Sequence, residues 1–273
     1  MRARLVVVSF GCVLLAACGG GGQDAVDADR ANPRRPEVMI YAAISTRDAL
    51  LAMESACEAA HGVELVFNFG SSGALARQIL AGGEADLFLS ADELELDLLA
   101  DDGLVEEGTR RVLCSNRLVV VEPQGGVSNF VAPFDAGQLA TSGVRLLSLG
   151  DPASTPVGRH AKAWLESEQA WELVAARVIP AIDARAALAA VESGGAQAGV
   201  VYRTDALRTS KVRIVHVVPR EEAPPSVYPL AVLRGRANRA VSACADFLAS
   251  EQCLAVFAAH GFEPWTPGPD ASR

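Results

Sequence analysis

Residues 38–69 read VMIYAAISTRDALLAMESACEAAHGVELVFNF. The segment begins with a short apolar run, Val38 to Ala43, which is typical of a buried parallel strand. A helical pattern follows from Thr46 to His61 and stops at Gly62, a residue type that commonly follows the last turn of a helix. Val63 to Phe69 is a second apolar run. The segment therefore predicts a strand-helix-strand unit within a parallel sheet.

The same alternation continues through the rest of the chain. We predict helices at 46–61, 73–80, 93–101, 158–167, 185–193, 238–249 and 251–260, and strands at 38–43, 63–69, 86–89, 118–121, 145–149, 198–202, 212–218 and 227–233. Two alternating sets joined by crossing strands predict an α/β fold of two lobes, each a mixed, mostly parallel sheet flanked by helices. We assign 37–119 and 219–265 to lobe I, 120–218 to lobe II, and 266–273 to a tail.

The N-terminal residues have the pattern of an export signal. Two arginines in residues 1–4 precede an apolar run at 5–14, and Leu15-Ala16-Ala17-Cys18 closes it. The run is shorter than the roughly 20 residues of an ordinary membrane-spanning helix. Its ending resembles a bacterial lipobox, which implies that 1–17 is a lipoprotein signal peptide and that Cys18 carries the lipid. A plain cleaved signal is the alternative.

Residues 18–36 are rich in glycine and polar side chains, which favours a flexible tether. We therefore expect the folded part to lie in the periplasm or at the cell surface, held at a membrane through Cys18.

Composition narrows the function. The 273 residues include 24 Lys and Arg against 33 Asp and Glu, a net charge of −9, and half of all residues are hydrophobic. This composition excludes a disordered chain and a nucleic-acid-coating protein. Because the overall charge is negative, a site for anions has to be built locally.

The cysteines and histidines form no metal-binding motif. No C-x-x-C pair occurs among Cys57, Cys114, Cys244 and Cys253, and the histidines are widely separated. The sequence predicts no site for a metal cation. A disulfide between Cys244 and Cys253 and buried free thiols both remain open.

Hydrogen-bond donors recur where predicted strands end or helices begin. They are Ser45, Ser72, the backbone N–H of Val157, the helix start at Ile182-Asp183-Ala184-Arg185, and Tyr202. Ligands of open α/β sheets bind beyond the carboxyl ends of the strands, where helix N-termini supply unpaired N–H groups and partial positive charge. Uncharged donors of this kind can hold an ionised oxyanion without lysine or arginine. A protonated anion needs an acceptor as well, so a tetrahedral dianion fits best. Ordinary helix capping is the alternative for Ser45 or Ser72 taken singly.

Several ungapped motifs connect these positions to a family. Tyr41-Ala42-Ala43-Ile44-Ser45, GSSGALARQI at 70–79, ADLFLSAD at 85–92, Gly150-Asp151-Pro152 and Gly199-Val200-Val201-Tyr202 resemble the periplasmic molybdate-binding proteins of ABC importers. The resemblance covers about Val38 to Phe262. It implies a type II periplasmic-binding fold, molybdate or tungstate in the cleft, and delivery to an inner-membrane ABC permease.

The resemblance also assigns roles. Ser45 and Ser72 become donors from the first lobe. Val157 and Ala184 become backbone donors and Tyr202 a phenolic donor from the second lobe, with Ser71 as a second choice. It implies a monomer without a cofactor, with molybdenum present only as molybdate. Ile44-Ser45-Thr46 replaces the family's common Ala-Ser-Leu, which leaves the size of the cavity and the preferred anion open.

Two alternatives remain. One is a binding protein for another tetrahedral oxyanion such as sulfate; the other is a sensor or enzyme on the same scaffold. Gly70-Ser71-Ser72-Gly73 is not a nucleophile elbow, and no Walker A motif occurs. We interpret the acidic run 92–97 as a solvated helix face, and Arg185 as a salt-bridge partner.

Overall fold

The computed structural model describes residues 35–126 and 129–265. The predicted signal peptide, the lipidation site Cys18, nearly all of the tether and the tail lie outside the described residues.

The described chain forms two five-stranded sheets. Its strands are β1 (Glu37–Ala43), β2 (Glu64–Gly70), β3 (Leu87–Leu89), β4 (Arg111–Asn116), β5 (Leu118–Pro123), β6 (Leu147–Gly150), β7 (Val178–Ala181), β8 (Ala198–Tyr202), β9 (Val212–Val217) and β10 (Ser226–Val232). The first sheet has the order β2-β1-β3-β10-β4, and the second β7-β6-β8-β5-β9. In each sheet three neighbouring strands run parallel and the other two pair in antiparallel fashion. The two mixed sheets agree with the predicted two-lobed α/β fold.

The helices flank these sheets. They are α1 (Arg47–His61), α2 (Ser72–Leu80), α3 (Glu93–Asp101), α4 (Gln138–Thr141), α5 (Pro156–Ser167), α6 (Trp171–Val174), α7 (Ala184–Glu192), α8 (Arg203–Ala206), α9 (Arg239–Leu248) and α10 (Glu251–Ala259). Each helix and strand predicted from the sequence is present, with ends shifted by at most two residues. Within the described residues no single helix is long and apolar enough to cross a membrane, and the one pair that reaches this length, α9 with α10, is bent by 51°.

The boundary between the lobes differs slightly from the prediction. Leu118 and Val119 were expected in lobe I, but they belong to β5, which pairs with β8 and β9 of the second sheet. The chain crosses at Arg117, directly between β4 and β5. The apolar pattern predicts a strand at this point, but it does not specify the sheet that the strand joins. We call the part around the first sheet the first lobe and the part around the second sheet the second lobe.

The sequence analysis missed two strands, β4 and β7, because their residues are unusual for strands within a sheet. β4 ends in Ser115 and Asn116, which are polar although buried. β7 is a four-residue strand at the edge of the second sheet, and it contains Pro180. Proline is tolerated at a sheet edge because its missing N–H is not needed there.

All four cysteines in the described part of the chain are buried free thiols. Cys244 on α9 is not bonded to Cys253. Its sulfur lies 3.8 Å from that of Cys57 on α1 instead. The sequence left open a disulfide between Cys244 and Cys253 or buried free thiols, and the structure contains free thiols.

Candidate anion-binding site

A small cavity lies between the lobes, at the carboxyl ends of the strands. All five predicted donors and Ser71 line it, and the complete lining is Ala43, Ile44, Ser45, Gly70, Ser71, Ser72, Ala91, Thr155, Pro156, Val157, Ala184 and Tyr202. Both lobes contribute, and none of these side chains carries a charge. The structure thus brings the five residues together, while their role in binding stays a prediction.

A larger hollow lies where the chain crosses between the lobes. Its lining includes Arg117 and Arg220, but both guanidinium groups pair with Glu263. Prolines and Trp265 form much of the remaining wall. Glu263 offsets one of the two positive charges, and no residue of this described lining begins a helix, so the hollow lacks the convergent backbone donors of the smaller cavity.

Three helices begin at the cavity, and each has a capping side chain that leaves other donors free. At the start of α2, Ser71 Oγ accepts the Ala74 N–H over 3.3 Å. Thr155 Oγ1 accepts the Gly158 N–H of α5 over 3.1 Å, and Asp183 Oδ1 accepts the Ala186 N–H of α7 over 2.8 Å. These caps occupy the third N–H of each helix. The N–H groups of Ser72, Val157 and Ala184 precede them and have no acceptor within their own helices.

The capping interpretation does not apply to Ser72, because the cap of α2 is Ser71. The Ser72 side chain is 1% exposed, and its Oγ accepts the Ala91 N–H over 2.9 Å. A hydroxyl has one proton to donate. Since the Oγ lone pair is engaged by a backbone donor, that proton is available to the cavity.

Ser45 does not cap a helix either. The sequence predicted a helix from Thr46, but Ile44–Thr46 forms a 3₁₀ turn without a side-chain cap, and α1 begins at Arg47. The Thr46 hydroxyl donates to the Ala43 carbonyl over 2.7 Å, which stabilises this turn. The Ser45 Oγ lies 2.9 Å from the hydroxyl of Tyr228 on β10.

Tyr202 ends β8 with its ring 1% exposed. Burial raises the pKa of its hydroxyl well above the ordinary value, so the hydroxyl keeps its proton at any physiological pH. The oxygen lies 3.4 Å from His160 Nδ1, and the same nitrogen is 2.8 Å from Ser226 Oγ. Tyr202 therefore keeps a proton that it can donate, and the buried side chain of His160 lies next to its hydroxyl.

His160 on α5 was missed by the sequence analysis, which saw only a widely spaced histidine. Burial lowers its pKa to about 4, although Asp92, whose Oδ2 is 3.7 Å from Nε2, acts in the opposite direction. The imidazole is accordingly neutral at neutral pH. His160 therefore adds no positive charge next to the cavity.

This buried histidine predicts a pH-dependent stability. Between its folded pKa of about 4 and its unfolded value of about 6.5, the unfolded chain binds more protons, so the folded state loses stability as the pH falls. The loss from this residue reaches about 3 kcal/mol at the acid end of that window. Urea unfolding of the parent and of His160→Asn at pH 7.5 and pH 4 measures it. We expect a smaller acid loss in the variant, and equal losses would contradict the assignment.

Ion pairs join the lobes on both sides of the cavity. Arg159 of α5 binds Asp92 over 2.9 Å and Glu95 over 2.5 Å in the first lobe. Arg185 of α7 binds Asp48 of α1 over 3.0 Å, and Arg208 binds the same carboxylate. Arg185 is thus a salt-bridge partner, as the sequence indicated. The lobes are in contact, with the cavity enclosed between two ionic contacts.

The acidic run 92–97 is only partly the solvated face that the sequence predicted. Glu93 and Asp97 are exposed and pair with Arg110. Asp92 and Glu95 instead face Arg159, because the first turn of α3 points towards the second lobe. Among the described residues, no group of three or more His, Cys, Asp or Glu is arranged to hold a metal ion.

Comparison with known proteins identifies the family of this chain. The family model for bacterial extracellular solute-binding proteins matches residues 38–263. This chain belongs to that family. The solute-binding protein is 35% identical to the molybdate-binding protein ModA of Escherichia coli over 235 residues, which cover 83% of this chain and 88% of the relative. It is 34% identical to the putative ABC transporter substrate-binding lipoprotein YvgL of Bacillus subtilis, over 94% of this chain and 96% of that protein.

A solved structure shows the same architecture. The periplasmic molybdate-binding protein of Azotobacter vinelandii superposes on this solute-binding protein with a TM-score of 0.74, at 21% identity, covering 85% of this chain and all of that one. At 21% identity, the structural similarity shows a shared fold and no more. It confirms the predicted two-lobed periplasmic-binding fold.

Proposed function

We propose that this solute-binding protein captures molybdate or tungstate between its lobes and presents the anion to an ABC permease in the inner membrane. The observation that carries the proposal is the cavity itself: donors from both lobes and three helix N-termini surround it, and no lining side chain is charged. The identity with a relative named for molybdate binding supports the choice of anion.

Each donor has a defined part in this proposal. Ser45, Ser72 and Tyr202 donate through hydroxyls, and Val157 and Ala184 donate through backbone N–H groups. Each helix N-terminus adds roughly half a positive charge, which favours a dianion. An anion held between the two lobes is largely shielded from bulk water, so these interactions are stronger than they would be in solution.

The same donor set discriminates between anions. Hydrogen phosphate carries a proton that requires an acceptor, whereas molybdate, tungstate and sulfate carry none at neutral pH. A cavity that presents only donors leaves the phosphate proton unpaired, which costs about 1–3 kcal/mol. Molybdate and tungstate are larger than sulfate, and the similarity to a relative named for molybdate binding favours these larger anions among the proton-free ones.

Binding is coupled to closure of the lobes. An anion that contacts both lobes stabilises the conformation in which they touch, and the permease distinguishes this closed form from the open one. The Asp48 and Arg159 ion pairs add to the closed form. The protein acts as a monomer, catalyses no reaction and needs no cofactor. Lipid on Cys18 and the tether at 18–36 keep it at the membrane surface in the periplasm or on the cell surface.

Thermal unfolding of the protein without residues 1–36, with a panel of sodium salts, tests this proposal. Saturation at 1,000 times the Kd adds about 4 kcal/mol of stability, or roughly 10 °C for a domain of this size. We expect shifts of this order with molybdate and tungstate, a small shift with sulfate, and none with phosphate beyond that of sodium chloride at equal ionic strength. Equal shifts with phosphate and molybdate would contradict the donor argument. The largest shift with sulfate would make sulfate the ligand.

A further inference from the structure

Behind Ser45 lies a chain of buried polar groups that do not reach the cavity. Tyr228 on β10 is fully buried, and its hydroxyl oxygen has two neighbours, Ser45 Oγ at 2.9 Å and Asn116 Nδ2 at 3.1 Å. Burial raises the pKa of this hydroxyl, so it is protonated. Which of its neighbours receives the proton decides what Ser45 can offer to a ligand.

The orientation of Asn116 answers this. Its Oδ1 accepts the backbone N–H of Arg117 over 2.9 Å, and a backbone N–H can only donate. The amide oxygen is therefore fixed on that side, and the nitrogen faces Tyr228 and Thr204. The two amide protons go to Thr204 Oγ1 over 2.9 Å and to the Tyr228 hydroxyl oxygen.

The orientation of Asn116 determines where the hydroxyl protons of Tyr228 and Ser45 point. Tyr228 accepts from Asn116, so its single proton goes to Ser45 Oγ, its other hydrogen-bond partner among the described residues. Leaving that proton unpaired in the core would cost about 1–3 kcal/mol. Ser45 Oγ is thereby an acceptor for Tyr228. Its own proton is left for the cavity, which Ser45 lines.

We propose that Tyr228 and Asn116 are positioning residues that hold the Ser45 hydroxyl as a donor to the bound anion. Every link donates in one direction, from the Arg117 N–H through Asn116 and Tyr228 to Ser45. The inference rests on the proposed function and deepens it: selectivity for a proton-free oxyanion depends on groups that never touch the ligand. The Ala91 N–H acts on Ser72 in the same way, through a single link.

A double-mutant cycle of Tyr228→Phe and Ser45→Ala tests the proposal by calorimetric titration with molybdate at pH 8. If Tyr228 acts through Ser45, Tyr228→Phe weakens binding about tenfold in the parent, about 1.4 kcal/mol, and less than twofold when Ser45 is already alanine. A general effect on the fold would persist in both backgrounds. Equal weakening in both, or none in the parent, would overturn the proposal.

Tyr41→Phe is the matched control, because it removes the same hydroxyl from the first lobe away from the cavity lining. It should leave the affinity unchanged. The parent titration separates the two claims: a parent that binds sulfate but not molybdate refutes the proposed ligand, and the cycle is then run with sulfate. A parent that binds none of these anions refutes both.

Competition by phosphate provides a second measurement, and its result would not change if Tyr228 only stabilised the fold. Without Tyr228, the Ser45 oxygen regains its freedom to accept a proton. Phosphate at pH 8 should therefore displace molybdate from Tyr228→Phe at ratios of phosphate to molybdate at which the parent keeps its molybdate. An unchanged ratio, or no displacement from either protein, would contradict the role in selectivity.

Discussion

Replacing Gly73 by alanine should abolish tight anion binding while both lobes remain folded. Gly73 is the second residue of α2 in the first lobe, and a Cβ there would lie 2.3 Å from the carbonyl oxygen of Ser154 in the second lobe. Carbon and oxygen do not approach so closely, and a backbone carbonyl cannot rotate away as a side chain can. The lobes must separate at this contact, because α2 is fixed within its own lobe.

The expected loss is large because separation removes the donors of one lobe from the anion. Val157, Ala184 and Tyr202 belong to the second lobe, and each hydrogen bond to a charged group contributes about 1.5–3 kcal/mol. Even partial loss of these three bonds weakens binding at least 100-fold. Alanine is favourable within a helix, so the ligand-free protein should melt at or above the parent temperature.

Calorimetry with molybdate and melting without ligand measure both effects. Gly137→Ala serves as the control, because it adds a methyl group in the second lobe against the movable side chain of Asp135, away from the cavity lining. It should bind as the parent does. Parental affinity in Gly73→Ala would show that contact between the lobes at Gly73 is not needed for binding.

Removing one hydroxyl donor from each lobe should have the second largest effect. Ser72→Ala with Tyr202→Phe deletes two hydrogen bonds to the charged anion, about 3–6 kcal/mol in sum, so we expect at least a 100-fold rise in Kd. The Ala91 N–H also loses its acceptor, which lowers the free energy of unfolding by about 1–3 kcal/mol. Fluorescence or calorimetric titration and urea unfolding separate the two contributions.

Ser167→Ala with Tyr41→Phe is the matched control for this pair. It makes the same chemical changes at residues outside the cavity lining, and it should keep the parental affinity. Parental affinity in Ser72→Ala with Tyr202→Phe would place the anion elsewhere on the protein.

The sequence predicts the five cavity residues because of a topological rule. Parallel strands end at one edge of their sheet, so residues that follow strands or begin helices gather there even when they are far apart in the chain. Ser45 follows β1 and Tyr202 ends β8, while Val157 and Ala184 lie in the first turns of α5 and α7. Backbone donors need no particular side chain, so the rule points to the helix start at 182–185, and the family resemblance names Ala184 within it.

The supporting groups could not be predicted because they depend on contacts between distant segments. Tyr228 reaches Ser45 across 183 residues of sequence, and a phenolic hydroxyl in the largely apolar strand β10 gives no signal of its partner. His160 and the contact of Gly73 with Ser154 are tertiary features of the same kind. The lobe boundary was misplaced by two residues because periodicity identifies a strand but not the sheet that it joins.

The central claim is that uncharged donors of both lobes hold a dianion in the cavity. Crystals grown with molybdate, measured at the molybdenum absorption edge, test this most directly. We expect one strong anomalous peak per chain, with its oxygens about 2.7–3.2 Å from the donors of Ser45, Ser72, Val157, Ala184 and Tyr202. A protein without a peak in this cavity, or with its molybdenum held by arginine or lysine side chains elsewhere, would contradict the claim.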